Sequence, residues 1–578
     1  MTAVPTRHHD TGWIRWLLNG PHPSRVMWRL RLGLIAAMHV TAVYILASVE
    51  YGTFANVVAL LTWLLLNFTL LIVLRRPGAS AAIALVFVAL LIAVSQFKFG
   101  IMQLTLTFLD FLIIDRDTFA FLHSVFPQLR TQSIVLTAIA VPVLWLIWRA
   151  DPFRVRRAPS LIGALVCGAL ITGLSTAWPE QPWEPFQGVN HISNLARSGV
   201  VSVSHLTSIG WIEAEPRSAG AGTFGAATPC ATNASRPNIV MVLDESSFDL
   251  AAAPGIKLPP GYQDYFKSAD GKQRRLVTES SGGPTWYTEF NVLTGLSADS
   301  FGKLKFYVTR IAAGKITRGL PAALATCGDR TVSLYPTYGD FLRARTFQAA
   351  AGVDRFVDMA AMGVSEDMQP DRFYFDQAVQ AIARERQASN APVFVLVYLT
   401  ANHFPWTSEY RPDLTPPSWI PPGNSAEVDE YLRRQAMTAA DYARFLAQLK
   451  QDYPADPFLI VRFGDHQPAI SQKLLEPGLP PAKLANRIMT RDRRYYETYY
   501  AIDAFNYKPD MSSAMDPLDA AYLPLAVLGA AGVPLEPSFA EQRAIMRRCN
   551  GVFYACNGGT EARRFNRMLI NAGMIRGL

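Results

Sequence analysis

Three short sets of polar residues in the second half of the chain have side chains suited to metal-dependent chemistry. Each set follows an apolar run of strand length. The sets are Asp244-Glu245-Ser246, Thr400-Ala401-Asn402-His403 and Gly464-Asp465-His466. Carboxylate oxygens together with imidazole nitrogens make a mixed site that suits Zn²⁺ or Mn²⁺. An Asp or His at the end of a strand is also commonly a helix cap or a loop hydrogen-bond partner. It is the three sets together that indicate a metal site.

A candidate nucleophile, Thr285, follows a Gly-Gly-Pro turn and precedes an apolar segment of helical pattern. A hydroxyl at a helix N-terminus lies near free backbone N–H groups and the positive end of the helix dipole, where a phosphoryl oxygen is stabilised. Coordination to a metal would also make this hydroxyl easier to deprotonate. The alternative is that Thr285 is only an N-cap, which is a common role for threonine.

The elements around these residues predict an α/β domain with a mostly parallel sheet. Short apolar runs predict buried strands, and they alternate with the amphipathic segments Asp371–Gln387 and Ser425–Gln451, which predict helices. The predicted strands are Ile239–Leu243, Thr331–Tyr335, Val393–Leu399, Phe458–Phe463 and Tyr499–Phe505. Ligands of such sheets bind beyond the carboxyl ends of the strands, where the three polar sets lie.

The first third of the chain is different, because it predicts five membrane-spanning helices. Only 17% of the 578 residues are charged, against about 25% in an average soluble protein. Five apolar runs of spanning length contain no Asp, Glu, Lys or Arg. They are Leu32–Val49, Phe54–Leu74, Ala79–Phe97, Thr131–Trp148 and Ser160–Trp178. Five such runs exclude a wholly soluble enzyme and favour a membrane anchor fused to a soluble domain.

Arginines predict the orientation of these helices. The N-terminal tail and the loops after the second and fourth runs are rich in arginine, so these segments are expected on the cytoplasmic side. An odd number of spans then places the rest of the chain outside, in a bacterium the periplasmic or extracellular side of the inner membrane. The net charge of +8 is partly this topology signal and requires no nucleic-acid partner. The predicted organisation is a five-span domain at 1–178 with an interfacial segment at 98–130, a connector at 179–235 and a catalytic domain at 236–578. A simple packing role for 98–130 stays open.

The cysteines fit an exported domain. Cys167 lies in the fifth apolar run, and the other four cysteines follow it. An even number of cysteines in an oxidising compartment allows two disulfides. Cys549 and Cys556 enclose six residues, which suits a closed hairpin, and this leaves Cys230 and Cys327 to pair by elimination.

Together, these motifs resemble the alkaline phosphatase superfamily, in the branch of lipoteichoic acid synthases and phosphoglycerol or phosphoethanolamine transferases. The metal-binding Glu-Ser of that branch corresponds to Glu245-Ser246, and its Gly-Asp-His motif to Gly464-Asp465-His466. Its nucleophilic threonine lies four residues before a Glu-Phe pair, which gives Thr285; Thr288 is a rival with the wrong offset. Further matches are the segments His403-Phe404-Pro405 and Tyr496-Glu497-Thr498.

The resemblance implies an activity and the residues that carry it. Glu245, Thr285, Asp465 and His466 would hold one divalent ion, Zn²⁺ or Mn²⁺, and His403 would bind phosphate or protonate the leaving oxygen. Thr285 would transfer phosphoglycerol or phosphoethanolamine from a phospholipid donor to a glycan or lipid acceptor outside the cytoplasm. A hydrolase that uses water at the same site is the alternative, and a non-enzymatic receptor is less favoured because the metal set and nucleophile are intact.

Two departures from the family limit this expectation. The turn before Thr285 is Gly-Gly-Pro where lipoteichoic acid synthases have Gly-Lys, so their substrate cannot be transferred to this chain. The chain also lacks the Cys-x-Pro-x-Arg or Ser-x-Pro-x-Arg stretch that a formylglycine sulfatase needs. Hydrolysis of sulfate esters is therefore not expected.

Overall fold

The computed structural model describes two compact units, residues 1–207 and 208–578. The described residues are 25–577, apart from 103, 114–121, 123–125, 182–183, 209, 218–223, 226–229, 231–235 and 366–367. Parts of the predicted interfacial segment 98–130, at 103, 114–121 and 123–125, lie outside the described residues, as does most of 218–235 at the end of the predicted connector.

The first unit is helical and contains five helices long and apolar enough to cross a membrane, as predicted. The chain is thus a multi-pass membrane protein with a soluble domain at its C-terminal end. The helices of the unit are α1 (Arg25–Val49), α2 (Thr53–Leu74), α3 (Pro77–Met102), α4 (Phe108–Ile113), α5 (Pro127–Ala150), α6 (Arg157–Ala177) and α7 (His191–Ser208). Trp63 of α2 is almost fully buried against α1, α3 and the start of α7.

A buried ion pair joins the end of α3 to α4. Lys98 Nζ lies 2.9 and 2.8 Å from the two carboxylate oxygens of Asp110. Asp110 also accepts a hydrogen bond from the backbone N–H of Thr107. Asp110 therefore stabilises the turn into α4 through its contacts with Lys98 and Thr107.

The second unit contains an eight-stranded sheet in the order β4-β3-β5-β1-β6-β7-β2-β8. Only β7 is antiparallel to its neighbours, so the sheet is mostly parallel, as predicted. The strands are β1 (Asn238–Asp244), β2 (Arg274–Val277), β3 (Arg330–Leu334), β4 (Arg355–Val357), β5 (Val393–Tyr398), β6 (Phe458–Gly464), β7 (Glu497–Phe505) and β8 (Leu518–Asp519).

The three central strands β5, β1 and β6 are buried along their whole length. Burial on both faces explains why their sequences are continuous apolar runs. Helices between the strands cover the faces of the sheet, with Tyr374, Phe375 and Phe445 in the core. The helices of this unit are α8 (Thr285–Thr294), α9 (Val308–Ala312), α10 (Leu320–Thr326), α11 (Ala344–Ala350), α12 (Asp371–Ala388), α13 (Ala426–Asp452), α14 (Ser471–Leu474), α15 (Pro481–Met489), α16 (Leu523–Ala530), α17 (Pro537–Arg548) and α18 (Thr560–Asn571).

Two disulfides close loops of very different length in this unit. Cys230 is bonded to Cys327, 97 residues further along, and Cys549 is bonded to Cys556. Cys167, in α6, is a buried free thiol. The first bond ties Cys230, which precedes β1, to Cys327, which precedes β3. An ion pair between Arg236 and Asp329 joins the same two segments.

Candidate active site

Glu245 follows the last residue of β1, and its carboxylate lies beside the residues that follow β6. Asp244, the neighbouring carboxylate in the same polar set, has different partners. Its Oδ2 accepts hydrogen bonds from the hydroxyls of Tyr499 at 2.6 Å and Tyr265 at 3.0 Å. Successive side chains of a strand point to opposite faces, which explains why two adjacent acids have separate surroundings.

The loops after β1 and β6 approach each other closely at Gly464. A Cβ atom at this position would lie 2.1 Å from the carbonyl oxygen of Ser247, so only glycine fits there. The approach allows Asp465 Oδ1 to accept hydrogen bonds at 2.8 Å from the backbone N–H groups of Ser246 and His466. The hydroxyl of Thr498 in β7 stabilises this approach by donating a hydrogen bond to the Gly464 carbonyl oxygen at 2.8 Å.

Glu245, Asp465 and His466 form a buried cluster whose potential ligand atoms all lie within 4.8 Å of one another. His466 Nε2 lies 3.3 Å from Asp465 Oδ2 and 3.5 Å from Glu245 Oε1. Asp465 Oδ2 is buried and accepts no hydrogen bond from the described residues. Two carboxylates and one imidazole nitrogen at these distances are a ligand set suited to Zn²⁺ or Mn²⁺.

The charges of the cluster also favour a cation. Burial, together with the neighbouring Glu245 charge, raises the pKa of Asp465 well above its ordinary value. For Glu245, burial acts in the same direction, but electrostatic attraction to the His466 and His403 side chains and two hydrogen bonds outweigh it and lower its pKa. Two buried carboxylates this close do not both ionise easily without a positive charge between them.

Thr285 is the first residue of α8, and its Oγ1 donates a hydrogen bond to Glu245 Oε2 at 3.0 Å. Pro284 occupies the N-cap position, and Thr285 is therefore not the cap. The preceding turn passes through Gly282 with φ +68°, where a Cβ atom would lie 3.0 Å from the Cα of Ala469. This glycine lets the turn lie against the chain after His466 and brings the Thr285 hydroxyl to the cluster.

Thr288 is fully buried one turn further along α8 and has a different partner. Its hydroxyl donates to the backbone carbonyl of Asp465 at 2.6 Å. This contact ties α8 to the loop that carries the cluster. It leaves the Thr288 oxygen facing backbone, whereas the Thr285 oxygen faces Glu245.

His403 lies outside the three-residue cluster, in the loop after β5, the strand next to β1. Its ring is half-buried and stacks on Phe404 with centroids 4.5 Å apart. Its Nδ1 lies 2.8 Å from the Phe404 carbonyl oxygen. If Nδ1 carries the proton in this contact, Nε2 is available to act on a substrate.

Arg434 of α13 holds the His403 loop and was not identified from the sequence. Its side chain is only 2% exposed and pairs with Glu430 at 2.6 Å. Its guanidinium donates hydrogen bonds to the carbonyl oxygens of Ala401, His403, Pro405 and Ser408. A Glu-Arg pair spaced i, i+4 among the buried positions of a helix is the sequence signal that points to this residue.

Residues 237–524 match the sequence model of the sulfatase family. No protein of curated function matches the sequence. Among solved structures, the phosphoglycerol transferase GacH of Streptococcus pyogenes is 16% identical, with 60% of this chain and 87% of that chain covered and a TM-score of 0.44. The lipoteichoic acid synthase LtaP of Listeria monocytogenes is 16% identical (57% and 78% covered, TM-score 0.40). The lipooligosaccharide phosphoethanolamine transferase EptA of Neisseria meningitidis is 11% identical (83% and 96% covered, TM-score 0.44).

Proposed function

We propose, on the premise that residues 237–524 form a sulfatase-like domain of the alkaline phosphatase superfamily, that the chain is a metal-dependent membrane phosphotransferase. It moves a phosphoglycerol or phosphoethanolamine group from a phospholipid to a glycan or lipid acceptor. The observation that carries the proposal is the position of Thr285, whose hydroxyl lies at a helix N-terminus and 3.0 Å from a carboxylate of the cluster.

In the first half-reaction, Thr285 Oγ1 forms a bond to the phosphorus of the donor as the bond to the diacylglycerol oxygen breaks. The hydroxyl proton of Thr285 already points to Glu245 Oε2. The free N–H groups of the first turn of α8 stabilise the phosphoryl oxygens. His403 is proposed to give the departing diacylglycerol oxygen its proton, so that diacylglycerol leaves as a neutral alcohol.

In the second half-reaction, an acceptor hydroxyl forms a bond to the same phosphorus and gives its proton to His403, while the bond from phosphorus to Thr285 Oγ1 breaks and Thr285 takes its proton back from Glu245. Glu245, Thr285, Asp465 and His466 would hold one Zn²⁺ or Mn²⁺ ion. When bound, such an ion lowers the pKa of a coordinated hydroxyl and balances the charge of the phosphoryl group. Asp465 Oδ1 is kept in place by two backbone N–H groups, so Oδ2 is the oxygen available to a ligand.

The location follows from the arginine distribution and belongs to the same proposal. The soluble domain lies on the periplasmic or extracellular side of a bacterial inner membrane. A membrane-anchored enzyme acts in the layer where a phospholipid donor is abundant, which supports a lipid donor over a soluble one.

Mass spectrometry of the peptide that contains Thr285 tests the proposal. The full-length protein is incubated in vesicles of phosphatidylglycerol or of phosphatidylethanolamine, with Mn²⁺ or Zn²⁺. We expect a phosphoglycerol or phosphoethanolamine adduct on Thr285, and none in Thr285→Ala. Donor turnover without any Thr285 adduct would contradict the mechanism. An adduct that discharges to water at the same rate with and without acceptor would identify a hydrolase.

A further inference from the structure

A cavity lies on the same edge of the sheet as the cluster, beyond the carboxyl ends of β2 and β8. Its volume is about 180 Å³, and Glu279, Arg491 and Asp519 are among the residues that line it. Val552 and Tyr554, inside the loop closed by Cys549 and Cys556, form one wall. We call this space the side cavity. It is smaller than a typical pocket for a whole small molecule, which is about 300–1,000 Å³, and it suits one ring of a larger ligand.

A chain of contacts joins the side cavity to the helix that carries Thr285. Lys305 Nζ lies 4.3 Å from the ring centroid of Tyr287, two residues after Thr285. The same ammonium contacts Asp299 Oδ1 at 2.7 Å and the Glu279 carbonyl oxygen at 2.6 Å, and both residues line the side cavity. Arg491 pairs with the other oxygen of Asp299. The cavity therefore flanks the turn that leads to Thr285.

The charges that line the side cavity are balanced. Its lining includes two cations, Arg491 and Arg493, and the carboxyl groups of Glu279, Asp299 and Asp519. Arg491 pairs with Asp299, and Arg493 pairs with Glu497. Burial raises the pKa of the Asp519 carboxyl to about 7, so near neutral pH this group can donate or accept a hydrogen bond. A phosphate group needs a surplus of positive charge, and an acyl chain would bury the charged side chains of this lining against hydrocarbon. Neither ligand matches this cavity.

Two tyrosines supply ring surface to the side cavity. The hydroxyl of Tyr496 donates to the Ile488 carbonyl at 2.8 Å, and that of Tyr554 donates to Glu213 at 3.1 Å. Their hydroxyls are committed elsewhere, so these residues offer fixed rings to the cavity. Fixed aromatic rings beside guanidinium N–H groups and a carboxyl match a sugar ring, which presents C–H faces and neighbouring hydroxyls.

We infer that the side cavity binds a sugar ring of the acceptor, and that the acceptor is a glycan. This inference rests on the proposed function, because it assigns the second substrate of the same reaction. A hydroxyl on the open side of that sugar ring would then reach the phosphorylated Thr285 from the side of the turn that begins at Glu279.

Two variants and a control test the inference in the full-length protein. Ala555→Trp fills the cavity from an exposed position of its lining, and Arg493→Leu removes a guanidinium from a half-exposed side chain. Arg444→Leu, on the exposed surface of α13, is the control. The probes are methyl glucoside, galactoside, mannoside and N-acetylglucosaminide, with inorganic phosphate for comparison. Binding is measured by saturation-transfer NMR, and transfer by the rate at which the Thr285 adduct is discharged.

We expect at least one methyl glycoside to bind and to accelerate discharge of the adduct. The concentration for half-maximal acceleration should rise at least tenfold in Ala555→Trp and Arg493→Leu and stay unchanged in Arg444→Leu. Formation of the adduct from the donor should be the same in all four proteins. Glycoside binding that is equal in the wild type and both cavity variants would overturn the inference, as would a preference of the cavity for inorganic phosphate. Absence of any Thr285 adduct would instead refute the proposed function, while NMR would still report on the cavity.

Discussion

The hydroxyls of Thr285 and Thr288 are one helical turn apart but have different tasks. Thr285 donates to Glu245, and Thr288 donates to the backbone of the loop that carries Asp465 and His466. Both residues precede the Glu-Phe pair in a short stretch of sequence, and spacing alone could not assign them separate partners. Their positions relative to the first turn of α8 distinguish the proposed nucleophile from a residue that makes a structural hydrogen bond.

We expect Thr285→Ala to abolish transfer and to leave the melting temperature nearly unchanged, because the proposed role of the hydroxyl is chemical and the residue is only partly buried. The loss should appear in kcat far more than in KM. Glu245, Asp465 and His466 remain, so the variant should retain some metal. Turnover at the wild-type rate in a folded Thr285→Ala protein would rule out covalent catalysis by this residue.

Thr288→Ala is the matched comparison and should mainly lower stability. It leaves the buried Asp465 carbonyl without this donor, which costs roughly 1–3 kcal/mol. Thr288→Ser keeps the donor and should restore most of the loss. Thermal unfolding of the three proteins measures the stability effect, and turnover well below the melting temperature should persist in both Thr288 variants.

Glu289 gives the stability of the soluble domain a pH dependence. It lies on the buried side of α8, and burial raises its pKa from 4.5 to about 7, although Gln348 and Tyr398 donate hydrogen bonds to it. Between these values the folded state holds a proton that the unfolded state releases, so stability falls as pH rises. This difference between the pKa values of the folded and unfolded states corresponds to a loss of about 3 kcal/mol in the free energy of unfolding by pH 7.5.

The contribution of Glu289 is measured as a difference from Glu289→Gln, which has the same shape and no charge to titrate. We expect the variant to gain stability relative to the wild type as the pH of chemical unfolding is raised from 5 to 7.5. A difference that stays constant over this range would show that Glu289 ionises normally in the folded protein.

At the scale of elements, the central sheet could be predicted because burial on both faces leaves a continuous apolar run in the sequence. The strands β2, β4 and β8 were missed, since they have only four, three and two residues and lie toward the edges of the sheet. β8 nevertheless positions Asp519, and the sequence therefore indicated the metal cluster but not the side cavity. Arg434 was missed for another reason: its function depends on a loop far away in sequence.

Helix α13 and the His403 loop act together through Arg434. We expect Arg434→Lys to reduce turnover at least tenfold with unchanged metal content, because an ammonium cannot donate to four carbonyl groups from one planar fork. Arg433→Lys is the control, since Arg433 is also buried and pairs with Glu430 but donates to Tyr410 and Thr415. Equal losses of turnover in the two variants would show that Arg434 stabilises the helix without positioning His403.

At the scale of the whole molecule, the five helices and the sulfatase-like domain were both predictable. A helix that crosses the hydrocarbon core of a bilayer must be apolar along its length, which leaves a clear signal in the sequence. Ligand sites of a parallel sheet lie beyond the carboxyl ends of its strands, so polar residues directly after apolar runs are a second signal. The sequence pattern did not predict α7, which runs from His191 to Ser208 within the predicted connector. Its polar residues include His191, which contacts Ser95 at 2.8 Å, and Ser193, which contacts Glu50 at 2.5 Å. Such buried polar pairs depend on tertiary neighbours that periodicity does not reveal.

The orientation of the molecule in the membrane can be tested by labelling of single cysteines. Ile420 is 76% exposed in the soluble domain, and Pro152 is exposed in the short loop between α5 and α6. With Cys167 replaced by alanine, Ile420→Cys should react with a membrane-impermeant maleimide in intact spheroplasts. Pro152→Cys should react only after the membrane is opened, because the arginines around it are retained on the cytoplasmic side. Labelling of Pro152→Cys in intact spheroplasts, with Ile420→Cys protected, would invert the topology and place the proposed lipid chemistry on the cytoplasmic face.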